Sequence, residues 1–462
     1  MLFARLSPLF KRPAGRSGWL ILSGLLLLAA CGGGGGGGGP SASLPPAPGT
    51  GSGGTGSVPP TGDTTLGTPA PLVTDSQINA YSTATLSWTA TSAARDGSHS
   101  VIAVPMDHIE LGDTNARHAW KQGWTGKGQT IAVIDDFNKI NAGGARILYN
   151  DLPIQSSPGP NGKGANGKIS FTFEDGITHG ALVAALAGGE HQLIPEGADV
   201  YQTLRPSFCE DNGQGGCISG LARLTNIQPS YGVAKDATIA KVSVDLSSRQ
   251  NPTATLNDIM KAVEKHHDKA AINLSLSGPV PTSLTSFAAV ANDFATRGHI
   301  TTKSEAVIVV ALGNQDGLCR QNSMNSTKCN RIGVAFTHMD QLKDSTILVG
   351  ALTGKARASY SNQAGDLKAF TLFAQDTASF SGLNESVKLG TSFAAPRVAG
   401  AAAILRHKWP RQTAEQITRL LLDTASKDID QDGTADFTGI SEVFGYGRLD
   451  LKAALSPVGP LK

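Results

Sequence analysis

Ser392 lies in GTSFAAPRVAG, residues 390–400, where an extended segment gives way to the small-residue run AAPRVAGAAAILRHKW. Pro396 has no N–H and is tolerated only near a helix start, so a helix must begin close to Ser392. A serine hydroxyl at that point sits beside backbone N–H groups with no intrahelical acceptor. That arrangement suits a nucleophile whose own N–H helps stabilise an oxyanion. A serine hydroxyl is weak at neutral pH and needs a base. Of the ten histidines, His179 in DGITHGALVAALAGG heads a small-residue helix that Gly188–Gly189 closes. The base in turn needs a carboxylate to fix its tautomer. Asp135 and Asp136 end the apolar run of TIAVIDDFN, residues 130–138, at the strand end where open α/β sheets place their chemistry.

These stretches resemble one family in particular. G-T-S-x-A-x-P is the nucleophile motif of the subtilisin-like serine proteases, and Gly390, Thr391, Ser392, Ala394 and Pro396 fill its fixed positions. His179 with its followers is similar to that family's H-G-x-x-V-A, with Ala181 in place of a usual Ser or Thr and Ala185 in place of a usual Gly or Ser. Aligned on the family's V-A-V-I-D, Asp135 takes the catalytic position; Asp136 stands where Ser or Thr is usual and Phe137 where Gly is usual. VVALGNQDG, 309–317, resembles the strand leading to the oxyanion-hole asparagine, here Asn314. INLSLSGP, 272–279, resembles the substrate strand, which implies that Ser275, Leu276, Ser277 and Gly278 pair with an extended peptide. Ser277 replaces a usual Gly and would narrow the pocket wall. GVAKDATIAKVSV, 232–244, and FGYGRLDLKAAL, 444–455, resemble further landmarks, with Lys235 for a usual Pro. The order Asp, His, Ser along the chain is the subtilisin order. The resemblance spans roughly residues 110–458 and implies a serine endopeptidase working through an acyl-enzyme.

Two other readings compete. A catalytically silent protein of the same fold could use the groove to bind peptides or partners, a reading prompted by the bulky Phe137 beside Asp135. An aspartic protease built on Asp135 and Asp136 fails on chemistry, because such enzymes share a proton between carboxylates from separate segments and strand neighbours point to opposite faces.

The elements that must hold these residues are legible as apolar runs. TIAVID, ATIAKVSV (237–244), AAINLSL (270–276), AVIVVAL (306–312), STILVGAL (345–352) and AFTLFA (369–374) read as strands. Helical patterns fall between or after them at 181–187, 255–267, 284–297, 393–408 and 413–425. Near-continuous apolar strands alternating with helices predict an α/β fold of three layers, a mostly parallel sheet with helices on both faces. The spacing places this catalytic domain at 113–458, with surface insertions at 138–170 and 202–230.

What precedes it is different in kind. Arg5, Lys11, Arg12 and Arg16 precede the short apolar run GWLILSGLLLLAA, a targeting segment over 1–30. The run is short of the roughly 20 residues that span a bilayer. LAAC, 28–31, resembles the bacterial lipoprotein signal, which implies cleavage before Cys31 and a diacylglycerol on its sulfur; Gly32 after it implies the outer membrane, facing periplasm or cell surface. An ordinary signal peptide with a chance cysteine is the alternative, as is a membrane anchor. Eight glycines, 32–39, then open a Pro/Ser/Gly/Thr-rich tract to Pro71, which reads as a flexible tether over 31–71, followed by an extension over 72–112. The remaining cysteines, Cys209, Cys217, Cys319 and Cys329, allow three pairings, and the two local ones are favoured because each brackets a short polar loop. An exported chain keeps such bonds.

A net charge of +2 gives no basic field for nucleic acid. Protein or peptide substrates and a membrane reached through lipid are the partners expected, with a monomeric chain. No cofactor or metal is expected. DIDQDGTAD, 428–436, opens like a calcium loop, but the twelfth position is Gly439 rather than Glu, so it reads as a solvated acidic loop, with structural calcium as the lesser alternative. His266 and His267 beside Asp268 lie on a Lys/Glu-rich stretch and read as a solvated face.

Overall fold

The computed structural model describes residues 65–74, 83–90, 98–105, 114–137, 139–140, 146–147, 169–170, 179–192, 220–225, 230–244, 252–276, 284–321, 328–378 and 388–457. The principal strands are β1 (Thr83–Ala90), β2 (Ser98–Pro105), β3 (Thr130–Asp135), β4 (Gly220–Thr225), β5 (Thr238–Ser243), β6 (Ala271–Leu274), β7 (Val307–Ala311), β8 (Thr346–Thr353), β9 (Ala356–Arg357) and β10 (Thr371–Gln375). The helices are α1 (Ala116–Lys121), α2 (His179–Ala187), α3 (Pro252–Lys265), α4 (Phe287–Ala295), α5 (Arg331–Phe336), α6 (Thr391–Lys408), α7 (Ala414–Asp423) and α8 (Leu451–Leu455).

The central sheet has seven strands in the order β5-β3-β6-β7-β8-β9, with β10 also paired to β8. Every pairing in it is parallel except that of β8 with β9. The pleat explains why its strands are apolar throughout. Along β3, Ile131 and Val133 join one core with Val183, Leu186 and Val398, while Ala132 and Ile134 join another with Val263, Phe294 and Phe336. A strand covered on both faces has no side free for polar residues.

Helices α2 and α6 lie on the same face and approach closely, because both are built from Ala and Gly. A Cβ on Gly400 would come within 2.3 Å of the Ala187 carbonyl oxygen. That contact sets the helix headed by His179 against the helix that carries Ser392.

All six strands and all five helices read from the apolar pattern are present, with ends shifted by a few residues. Helix α2 starts at His179 itself, and β10 follows a 3-10 turn, Gly365–Phe370. Short α1, α5 and α8 escaped the periodicity, being five or six residues long. A second sheet, β2-β1-β4, is antiparallel and joins the 72–112 extension to the 202–230 insertion. The His266–His267 stretch differs from its expected solvated face: His266 is 9% exposed, because α3 ends at Lys265 and the following turn folds inward. His267 instead bonds through Nδ1 to the Glu264 carbonyl at 2.7 Å.

Candidate active site

Parallel register brings the candidate residues together at the carboxyl ends of neighbouring strands. Asp135 ends β3 opposite Ser243 of β5, and its neighbour β6 ends at Leu274, one residue before Ser275. Asp135 is fully buried, and its Oδ1 lies 2.7 Å from Nδ1 of His179. The same oxygen accepts the Asp136 N–H at 2.7 Å. The Asp136 carbonyl in turn accepts the Gly180 N–H at 3.1 Å, so the strand end and the start of α2 are tied twice. Phe137 does not displace this geometry. It is 5% exposed and packs in the α2–α6 core, with the Lys241 ammonium 6.0 Å from its ring centre.

Burial pushes the Asp135 carboxyl above its ordinary range, against the hydrogen bond and charge of His179. Burial pulls His179 down, but the bond to Asp135 and the charges of Asp135 and Asp136 outweigh it, and the imidazole pKa is raised. The ring is 40% exposed, so one edge faces solvent while Nδ1 faces Asp135.

Ser392 is the second residue of α6, and the ring of the next residue, Phe393, lies 5.5 Å from the His179 ring. The Ser392 hydroxyl donates to the Ser275 carbonyl at 3.2 Å, and the Ser275 hydroxyl donates to the Ser392 carbonyl at 2.7 Å. Asn273 holds Ser275 in place, its Nδ2 donating to Oγ at 2.9 Å. Leu276 is 5% exposed and its carbonyl accepts Asn330 Nδ2 at 2.9 Å. Ser277, Gly278, Cys31, Cys209 and Cys217 lie outside the described residues.

Asn314 follows β7. Its Oδ1 accepts both the N–H of Thr391, at 2.9 Å, and the Thr391 hydroxyl, at 2.8 Å. These two bonds fix the oxygen end toward Thr391, so the donor end, Nδ2, points away from it. Thr391 thus aims the asparagine, a role the motif alone does not reveal. Asn362 shapes the same turn, accepting the N–H groups of Gln315 and Gly317 at 3.1 and 3.0 Å and donating to Leu312 at 3.1 Å. Cys319 and Cys329 are bonded beside it, with Cα atoms 5.0 Å apart.

Two more buried groups, Arg397 and Asp376, and the half-buried Tyr360 lie near the serine loop and were missed in the sequence. Arg397, 1% exposed, donates from Nη1 to the carbonyls of Gln375 at 2.7 Å and Phe393 at 2.6 Å. Asp376, fully buried, accepts the Thr353 hydroxyl at 2.6 Å and the Tyr360 hydroxyl. Burial and Asp376 push the Tyr360 phenol up, while a backbone bond from Gly390 acts in the opposite sense. Elsewhere, Asp428, Asp430 and Asp432 each bring one oxygen within 4.8 Å of the others. Those carboxylates also accept loop N–H groups, from Asp432, Gly433 and Thr434.

The parallel sheet, the Asp–His pair at the carboxyl end of an inner strand and the serine at a helix start define the subtilisin-like α/β architecture. The family model "Subtilase family" (Peptidase_S8) matches residues 126–447, well over half of the 462-residue chain. The chain belongs to that family and is a serine endopeptidase. Subtilisin DY of Bacillus licheniformis is 29% identical over 295 residues, covering 63% of this chain and 92% of that protein. Subtilisin E of Bacillus subtilis (strain 168) is 27% identical over 294 residues, covering 63% of this chain and 66% of its own. An extracellular serine protease of Serratia marcescens is 25% identical over 376 residues, and the match spans only 33% of that longer protein. Among solved structures, MycP1 with its N-terminal propeptide removed aligns over 76% of this chain and 96% of its own, at 19% identity and a TM-score of 0.42.

Proposed function

We propose that the chain is an exported, lipid-anchored endopeptidase in which Ser392 attacks a peptide carbonyl while His179 accepts the hydroxyl proton. Asp135 holds the Nδ1–H tautomer and stabilises the imidazolium. The Nδ2 amide of Asn314 and the N–H of Ser392 receive the developing oxyanion. His179 then protonates the leaving amine, and water repeats the steps on the acyl-enzyme. The observation that carries this reading is the 2.7 Å bond between His179 and buried Asp135, formed despite the Asp136–Phe137 departure from the usual pattern. The silent-binder reading rested on that departure and gains nothing from it.

Substrate is an extended peptide whose backbone pairs with the segment after β6, Ser275 to Gly278. Cys31 carries the lipid, and the chain works at the outer membrane on protein or peptide substrates. Digestion of a peptide library by the full chain, beside Ser392→Ala, tests the activity: cleavage confined to the wild type supports it, and equal cleavage by both sinks it. Fractionation of Cys31→Ser cells tests the anchor separately: the variant should leave the membrane fraction, and an unchanged distribution refutes lipidation there.

A further inference from the structure

Residues 65–74, whose composition reads as the end of the tether and the start of the extension, lie against the domain. Two backbone bonds hold them: Gly67 N–H donates to the Lys408 carbonyl and Ala70 N–H to the Gly123 carbonyl, each at 2.8 Å. A third comes from His407. Its Nδ1 accepts the Thr125 N–H at 3.2 Å, which leaves the ring proton on Nε2, 2.9 Å from the Thr68 carbonyl it donates to. His407 is 6% exposed, and its ring packs edge-on against Trp124 at 5.3 Å. Burial lowers its pKa, in keeping with a neutral ring. Apolar contact completes the seat: Ala70 and Val73 are 4% and 7% exposed, and Val73 shares a core with Trp120, Trp124 and Leu405.

The domain surface is shaped for this segment on both sides. A Cβ on Gly67 would fall 2.1 Å from the His407 carbonyl oxygen, and one on Gly123, where φ is +81°, would fall 2.6 Å from the Ala70 carbonyl oxygen. Each partner therefore spends a glycine on the contact. Backbone bonds, a side-chain bond, burial and steric fit all agree, which is the signature of a specified docking rather than of loose draping.

The position of the seat gives it meaning. His407 and Lys408 form the last turn of α6, and Ser392 lies in its first. Sixteen residues at about 1.5 Å each separate strap and nucleophile by about 24 Å along the helix. We propose that residues 65–74 are a docking strap that seats the chain preceding the domain at the end of α6 opposite Ser392. The polarity relative to the cleft rests on Ser392 as nucleophile; the docking itself does not.

Hydrogen exchange on the full chain tests the docking. The amides of Gly67 and Ala70 should exchange at least about 100-fold more slowly than in an unstructured chain. Gly67→Val should release both, whereas Leu72→Ser, at a residue 65% exposed, should leave both protected. Free exchange in the wild type, or protection that survives Gly67→Val, overturns the strap. Energy transfer tests the polarity, with a donor at position 66 and a fluorophosphonate acceptor on Ser392. A narrow separation of at least about 24 Å is expected, broadening in Gly67→Val, and a narrow separation well below that length overturns it. Failure of the acceptor to label Ser392 counts against the catalytic reading alone, since the exchange result stands without it.

Discussion

The Ser275 hydroxyl donates at 2.7 Å to the carbonyl of Ser392, the helical carbonyl that Pro396 leaves without its usual N–H partner four residues on. The residue expected to contact substrate therefore also fixes the backbone of Ser392, the proposed nucleophile. Ser275→Ala should lower kcat about tenfold, about 1.4 kcal/mol, with KM nearly unchanged. Ser275→Thr should recover part of the loss. Kinetics on one peptide substrate, normalised by active-site titration, decides this: an effect on KM alone would make Ser275 a substrate contact only.

The two aspartates should separate cleanly. Asp135→Asn removes the acceptor that holds the His179 tautomer, and turnover should fall about 10⁴-fold. Asp136→Asn should keep turnover at neutral pH but alter its pH dependence. As the proposed base His179 acts only when neutral, so activity should be lost as pH falls through its raised pKa. The Asp136 charge contributes to that rise, so its removal should move the acid limb to lower pH. A limb displaced to higher pH would contradict the assignment.

Asn314 should act on turnover and not on binding. Asn314→Ala should reduce kcat by about 10²–10³, a magnitude carried over from a subtilisin rather than derived from this chain. Thr391→Val removes the hydroxyl bond to Asn314 Oδ1 but keeps the backbone one, so it should cost less than Asn314→Ala. Equal losses in the two variants would mean that Thr391 does more than aim the amide.

The Cys319–Cys329 bond closes a loop of ten residues' separation next to the turn bearing Asn314. Replacing both by Ala should destabilise the fold by about 2–3 kcal/mol. Thermal unfolding should register the change, while kcat of the folded double variant at low temperature should stay near wild type. An unchanged Tm would show that this loop is already ordered by other contacts, such as those of Asn362.

Legibility followed the range of the interaction. The run VIVVA in β7 is buried at every position and was readable from its own composition. The positions of Asp135, His179 and Ser392 at a strand end and two helix starts were readable from the local pattern around each. Thr391 was not, since its role depends on a side chain 77 residues away, and neither was the Ser275 bond, which spans 117 residues. The same limit hid the β1–β4 pairing, between segments more than a hundred residues apart. Asp376 reads locally as a loop carboxylate; only the fold buries it beside Tyr360 and Thr353. Composition likewise assigned residues 65–71 to the tether, because nothing within them announces the surface formed by Gly123 and His407.

Covalent labelling tests the central claim most directly. The full-length protein should form one adduct with a fluorophosphonate, mapped by mass spectrometry to the peptide containing Ser392. The adduct should be absent in Ser392→Ala and form far more slowly in His179→Ala. Folded protein that takes up no label at Ser392, or labels equally without His179, would contradict a Ser392–His179 nucleophile.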